Sequence, residues 1–196
     1  MDYEAVLLSN IQQLVSLTKA EQISILDHFK PQKLKKKEYL IVKDDVSSYM
    51  NFIAKGSIRS FYMDDQGREH ILQLGIEGWW INDLYSYLTQ TPAKHYVQAV
   101  EESVVMRIHR SSLENLYNTV PVSERFFRLK IQGGYIALQE RTILNMSQTA
   151  EERYIEFRTK YRSLEQRFPQ YMVASYLGVT PEFLSSVRKK LATIEY

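Results

Sequence analysis

Residues 170–189 read Gln170-Tyr-Met-Val-Ala-Ser-Tyr-Leu-Gly-Val-Thr-Pro-Glu-Phe-Leu-Ser-Ser-Val-Arg-Lys189, and the order of small, apolar and turn-forming residues in this run predicts a helix-turn-helix. Two helices that cross closely need a small side chain at the crossing, and Ala174 supplies it. A tight turn between them needs a residue that tolerates positive φ, and Gly178 follows four positions later. Val173, Leu177, Val179, Leu184 and Val187 fall where the two helices must bury against each other. Thr180 is a helix N-cap, and Pro181 suits the first turn of the second helix, where its missing N–H is no loss.

The 100° periodicity of that second helix separates its faces. Phe183, Leu184, Val187 and Leu191 are predicted to point inward. Glu182, Ser185, Ser186 and Lys189 point outward, with Arg188 and Lys190 on the flanks. In a DNA major groove a carboxylate can accept from cytosine N4, serine can donate or accept, and lysine can bind guanine or phosphate. Arg188 and Lys190 are placed for phosphates, which give affinity rather than sequence choice. Thr180, Pro181, Glu182, Ser185, Ser186, Arg188, Lys189 and Lys190 are therefore the candidate DNA-binding residues. A solvated helix face would tolerate the same polar types, and a purely structural helical hairpin stays open as an alternative; the arrangement favours DNA.

Working backwards, residues 146–150 read as a hinge with a cap at Thr149, followed by helices at about 150–165, 169–177 and 181–193. Before the hinge, Pro121 opens a long helix reaching about Asn145. Val122, Phe126, Leu129, Gly133, Ile136, Glu140 and Ile143 recur at alternating spacings of four and three, the seam of a two-helix contact. A second apolar line, Phe127, Ile131, Gly134 and Leu138, lies beside it. One face can meet a second copy while the other covers the rest of the chain. The candidate dimer residues are Val122, Phe126, Leu129, Gly133, Ile136 and Ile143; an ordinary amphipathic helix packed only on its own domain stays open as the alternative.

Between Lys33 and Ile108 the period shortens. Strands are expected at Tyr39–Val42, Met50–Ala54, Ser57–Met63, His70–Leu74, Tyr96–Val100 and Val104–Ile108, separated by Asp44-Asp45, Lys55-Gly56 and Asp64-Asp65-Gln66-Gly67. Short strands with frequent turns imply an antiparallel sandwich or roll. The lysines at 33 and 35–37 read as an edge or turn. In front of the strands, residues 5–29 read as helical, with Thr18 and Glu21 capping a second short helix that stops before Pro31.

Composition narrows the function classes. The 196 residues contain no cysteine, which excludes disulfides, thiolate metal sites and cysteine nucleophiles. The four histidines (His28, His70, His95, His109) show no local metal-ligand spacing, so no metal site is expected. No nucleophile elbow, Walker loop or dinucleotide loop occurs, and no catalytic residue is assigned. No run of eighteen apolar residues and no signal sequence is read, so a cytoplasmic protein without a membrane partner is expected. The net charge is +2, and the surplus lies in residues 149–196, a distribution permissive of phosphate binding.

A roll, a long helix and a C-terminal helix-turn-helix together resemble the catabolite-activator (Crp/Fnr) superfamily of transcription regulators. The stretches Leu74-Gly-Ile-Glu-Gly-Trp-Trp-Ile-Asn-Asp-Leu84 and Pro169-Gln-Tyr-Met-Val-Ala-Ser-Tyr-Leu-Gly-Val-Thr-Pro-Glu-Phe-Leu184 are similar to the branch found in Bacteroidetes. The resemblance covers nearly the whole chain. It implies an α+β chain with a cyclic-nucleotide-binding-like jelly roll at 1–120, a dimerisation helix and hinge at 121–148, and a winged-helix-like DNA-binding domain at 149–196. It implies a homodimer on a palindromic operator of double-stranded DNA, RNA polymerase as a further partner, and a small-molecule effector in the roll.

The family's phosphate cassette has Gly-Glu and then Arg-Ser or Arg-Thr. Here Asn82-Asp83 and Ala93-Lys94 stand in those places, and the phosphate-holding arginine is missing. Lys94 offers a point charge without the bidentate fork. Trp80, Asn82, Asp83, Lys94 and His95 are the effector-pocket candidates, but cyclic nucleotide is not expected to bind in the usual way. The aromatic residues Trp79, Trp80, Tyr85, Tyr87 and Tyr96 read as core filling, or as walls for an apolar ligand. Ser186 lies where many relatives carry a guanine-reading arginine, and the β-wing that often follows the second helix is expected to be absent or to come from residues earlier in the chain. The rival reading is a ligand-binding or protein-interaction module that does not bind DNA; a cupin-like enzyme is disfavoured for want of a His/Glu cluster.

Overall fold

The computed structural model describes residues 2–194, and the absence of a wing after the second helix lies outside them. Two short helices, α1 (Tyr3–Gln12) and α2 (Lys19–His28), lead into the strands. Asp2 caps α1, and Thr18 and Glu21 form the expected reciprocal capping box on α2. The strands are β1 (Lys30–Leu34), β2 (Tyr39–Ile41), β3 (Tyr49–Lys55), β4 (Ile58–Met63) and β5 (Glu69–Gly75), then β6 (Tyr96–Ala99) and β7 (Ser103–His109), with α3 (Leu84–Thr89) between β5 and β6. The remaining helices are α4 (Arg110–Thr119), α5 (Val122–Ser147), α6 (Ala150–Lys160), α7 (Arg162–Arg167), α8 (Gln170–Leu177) and α9 (Pro181–Ile194).

Seven strands, among the described residues, make two antiparallel sheets with orders β1-β7-β3 and β2-β6-β4-β5. β1, α3 and α4 were not anticipated. β1 contains Pro31, which a central strand would not accept; it is tolerated because β1 is an edge, paired only to β7. The lysine-rich run after it is the expected edge and turn, with Lys37 at φ 69°. Asp64 closes the β4–β5 turn by accepting from the backbone of Gln66 and Arg68.

The apolar side chains collect in three places. Ile41, Ile53, Ile58, Ile81, Val97 and Val105 fill the space between the sheets. Leu7, Ile11, Ile25, Phe52, Met106, Leu116, Phe126 and Phe127 join α1, α2, α4 and the start of α5 to the roll. Phe61, Ile71 and Leu74 on β4 and β5 share a third cluster with Tyr154, Phe157, Phe168, Val173, Leu177, Leu184 and Val187 of α6 to α9. Each fully buried large side chain contributes about 1.5–3 kcal/mol, so this last cluster holds the four C-terminal helices against β5.

The first of these helices is shorter than expected, breaking at Tyr161 into α6 and α7. Its start is as read, with a capping box from Thr149 to Glu152.

Candidate nucleic-acid interface

α8 and α9 meet as their residue types require. Ala174 and Val173 are fully buried, with Leu177, Leu184 and Val187 beside them. Gly178 turns the chain at φ 70°, and its N–H closes α8 on the carbonyls of Ala174 and Ser175. A residue with a Cβ would be strained at that angle. Thr180 Oγ1 accepts from Phe183 N (3.2 Å), the capping bond expected at the start of α9. Glu182, Ser185, Ser186, Arg188, Lys189 and Lys190 are exposed on α9, as are Thr180 and Pro181 before them.

The structure corrects the expected inward position of Phe183, which is 42% exposed. The buried stripe of α9 is narrow, formed by Leu184 and Val187 with Leu191 half-buried, and Phe183 lies on its margin. Two flanking cations have partners within the chain. Lys190 Nζ contacts both oxygens of Glu151 at 2.8 and 3.0 Å. Arg188 lies 3.9 Å from Glu165, whose carboxylate also accepts from the Tyr154 hydroxyl. Burial and that carboxylate push the Tyr154 hydroxyl up to about 12.

Two residues that the sequence did not single out fix this unit to the roll. Ser175 Oγ accepts from Ile71 N (3.0 Å) and donates to Glu69 O (3.1 Å), so α8 satisfies the open edge of β5. Arg141 on α5 donates to the carbonyls of Leu72 (2.6 Å), Ile71 (3.3 Å) and Tyr176 (2.8 Å), and its guanidinium lies 4.0 Å from the Tyr176 ring centroid. One side chain thus bridges the long helix, the roll and α8. Its only sequence signal is a polar residue in an amphipathic helix. Arg167 adds ion pairs to Glu77 and Glu101.

The expected effector pocket does not assemble as one site. Trp80 packs among Phe29, Phe52, Phe126 and Phe127, and its indole donates to Asn10 Oδ1. It belongs to the helix-side core, a correction that follows from its ring being too large and apolar to leave that cluster. Asn82 Oδ1 accepts from the Asn51 backbone and side chain. Asp83, 2% exposed, caps α3 through Ser86 N (2.9 Å), accepts from Lys94 N (3.3 Å) and lies 3.3 Å from His95 Nδ1. Burial lowers the His95 pKa below its ordinary 6.5, outweighing the opposing pull of Asp83. Lys94 instead lines a cleft of about 420 Å³ with Lys43, Asp44, Tyr62, Tyr85, Thr91, Pro92 and Ala93. Of the five aromatic residues read near this segment, Tyr87 is buried, Trp79, Trp80 and Tyr96 are half-buried and packed in the cores, and Tyr85 is exposed.

A cyclic nucleotide is the ligand that the fold implies for this region, and these residues do not fit it. The backbone N–H groups of Ser86 and Lys94 already donate to the Asp83 side chain, and no arginine stands in this segment to hold a phosphate.

The seam on α5 is also corrected in part. Phe126 is 1% exposed and Val122 is half-buried, both in the core with the roll, so Phe126 presents no surface to a partner. Leu129 is half-buried. Gly133, Ile136 and Ile143 are exposed, together with Ile131, Tyr135 and Leu138. Among the described residues, none of the helices is long and apolar enough to cross a membrane, and no group of three or more metal-ligating side chains is found.

Residues 31–120 match the family described as cyclic nucleotide-binding domain. No curated protein matches the chain at a significant level. Solved structures do. FixK2 from Bradyrhizobium japonicum superposes with a TM-score of 0.73 at 21% identity, over 85% of this chain and 86% of that one. The c-di-GMP responsive global regulator CLP of Xanthomonas campestris gives 0.73 at 12% identity, over 91% and 93%. The catabolite activator protein of Thermus thermophilus gives 0.57 at 20% identity, over 92% and 86%. Residues 31–120 are thus similar to domains of the cyclic nucleotide-binding class. The fold of most of the chain is the one these solved regulators share.

Proposed function

We propose that this chain is a transcription regulator of the Crp/Fnr type that binds double-stranded DNA as a homodimer through α8 and α9. The observation that carries the reading is the exposed row Glu182, Ser185, Ser186 and Lys189 on a helix whose entry is fixed by Gly178 and Thr180. Glu182 accepts from a base-edge amine, the serines donate or accept, and Lys189 reaches guanine or phosphate. Arg188 and Lys190 add phosphate contacts by exchanging Glu165 and Glu151 for the DNA backbone. Two copies pair along the exposed face of α5 around Gly133, Ile136 and Ile143, and a palindromic site places their recognition helices about 34 Å apart. The domain plan is a roll at 1–120, dimer helix and hinge at 121–148, and DNA-binding domain at 149–196.

The roll is a sensor that does not use a cyclic nucleotide in the usual way, because Asp83 occupies the anion position. Any effector acts only by binding one arrangement of the two halves more tightly than another.

Fluorescence anisotropy tests this reading, comparing DNA from upstream of the protein's own gene with a scrambled duplex across a salt series. Tighter binding to the native duplex is expected, and the Glu182→Ala/Lys189→Ala double variant should lose that preference by about tenfold or more, at about 1–3 kcal/mol per base contact. Equal, weak binding to both duplexes in the wild type would favour an interaction module.

A further inference from the structure

We infer that Phe183 reads the 5-methyl group of thymine and is a specificity-determining residue of the recognition helix. The inference rests on the DNA-binding reading above. Phe183 belongs to the first turn of α9, and in helix-turn-helix proteins the N-terminal residues of the second helix reach base edges. Its backbone N–H is tied to Thr180 Oγ1, which fixes where the ring begins. The side chain is 42% exposed, while its neighbours Leu184 and Val187 are 1% and 5% exposed. The ring therefore stands at the margin of the core that α9 shares with α8, between buried Val187 and exposed Ser186 in helical order.

Singly exposed apolar residues are common on protein surfaces. The chemistry of this position sets Phe183 apart. Phenylalanine has no donor, acceptor or charge, so it can hold neither a phosphate nor a base-edge polar atom. In the major groove the apolar feature that distinguishes one base from the others is the thymine methyl. Ser186, three residues on, is small and exposed. Sequence choice is then shared: Glu182 selects by hydrogen bonding, and Phe183 selects the adjacent base by apolar contact.

Replacement of thymine by deoxyuridine removes the methyl and nothing else, which makes the contact separable. A duplex would be selected from a random-sequence pool by the full-length chain, and each thymine then replaced singly by deoxyuridine. At least one thymine in each half-site should weaken wild-type binding about fourfold on losing its methyl, the value of one buried methylene-sized group. Phe183→Ala should bind the thymine and deoxyuridine duplexes equally. Phe183→Leu, still apolar, should keep part of the difference. Thermal melts of the variants would show that the fold is retained, as expected for an exposed position. A flat deoxyuridine scan with sequence-selective binding intact would overturn the Phe183 assignment alone. So would a methyl dependence that survives Phe183→Ala. Failure of the pool to yield any selective duplex would overturn both the assignment and the DNA-binding reading.

Discussion

His95 shows how a single half-buried ring ties stability to pH. Its pKa is lowered in the folded chain, by burial first, with Asp83 pulling the other way. A depressed histidine resists protonation in the fold but takes a proton freely once unfolded. Its stabilising contribution is therefore present above the unfolded value near 6.5 and is lost as pH falls below it and through the folded value. Urea midpoints should decline over that window, and His95→Gln should flatten the decline. An unchanged slope in the variant would assign the acid sensitivity to another group. The same small segment explains why Asn82 and Asp83 could be chosen from sequence while Trp80 could not be excluded. The first two are short polar residues just before α3, whereas the direction of a tryptophan ring depends on which aromatic neighbours the fold supplies.

At the scale of elements, the decisive contact is α8 on the edge of β5. An edge strand exposes unpaired backbone groups, and here Ser175 and Arg141 satisfy them. Arg141→Ala should leave Leu72 and Tyr176 carbonyls without these partners and destabilise the chain by about 2 kcal/mol, the range for hydrogen bonds to a charged group. Hydrogen exchange offers the specific readout: the Ile71 amide, bonded to Ser175, should exchange faster in the variant while the amides of β7 keep their protection. Uniform acceleration would point to global destabilisation instead. Neither residue was legible in advance, because their partners lie about seventy and more than one hundred positions away. By contrast α2, α6 and α9 carry local caps at Thr18, Thr149 and Thr180, and their starts followed from the sequence alone.

For the whole molecule, the exposed apolar residues on α5 predict self-association. Ile136→Glu/Ile143→Glu should convert a dimer into a monomer in sedimentation velocity, with little change in melting temperature of the chain itself, since both side chains are more than half exposed. DNA affinity should fall with it, because two linked contacts bind far more tightly than one. A wild type that is monomeric at all concentrations would remove the dimer from the proposed function. Phe126 would be a poor choice for this experiment: it is buried against the roll, and its loss would damage the core.

What the sequence determined by itself was whatever rests on neighbours within a few residues: the alternation that makes most strands, the caps, the Gly178 turn, and the Ala174 crossing. Family resemblance extended that to the order of roll, long helix and paired helices. The tertiary structure alone decided which apolar residues were consumed by the core and which were left exposed. That is why Phe126 moved inward, Phe183 moved outward, Trp80 left the pocket, and Arg141 and Ser175 became the joint between the roll and the C-terminal helices. The physical reason is that burial is a property of space rather than of chain order. A helix face has a fixed period, but only the packed neighbours determine how wide its buried stripe is.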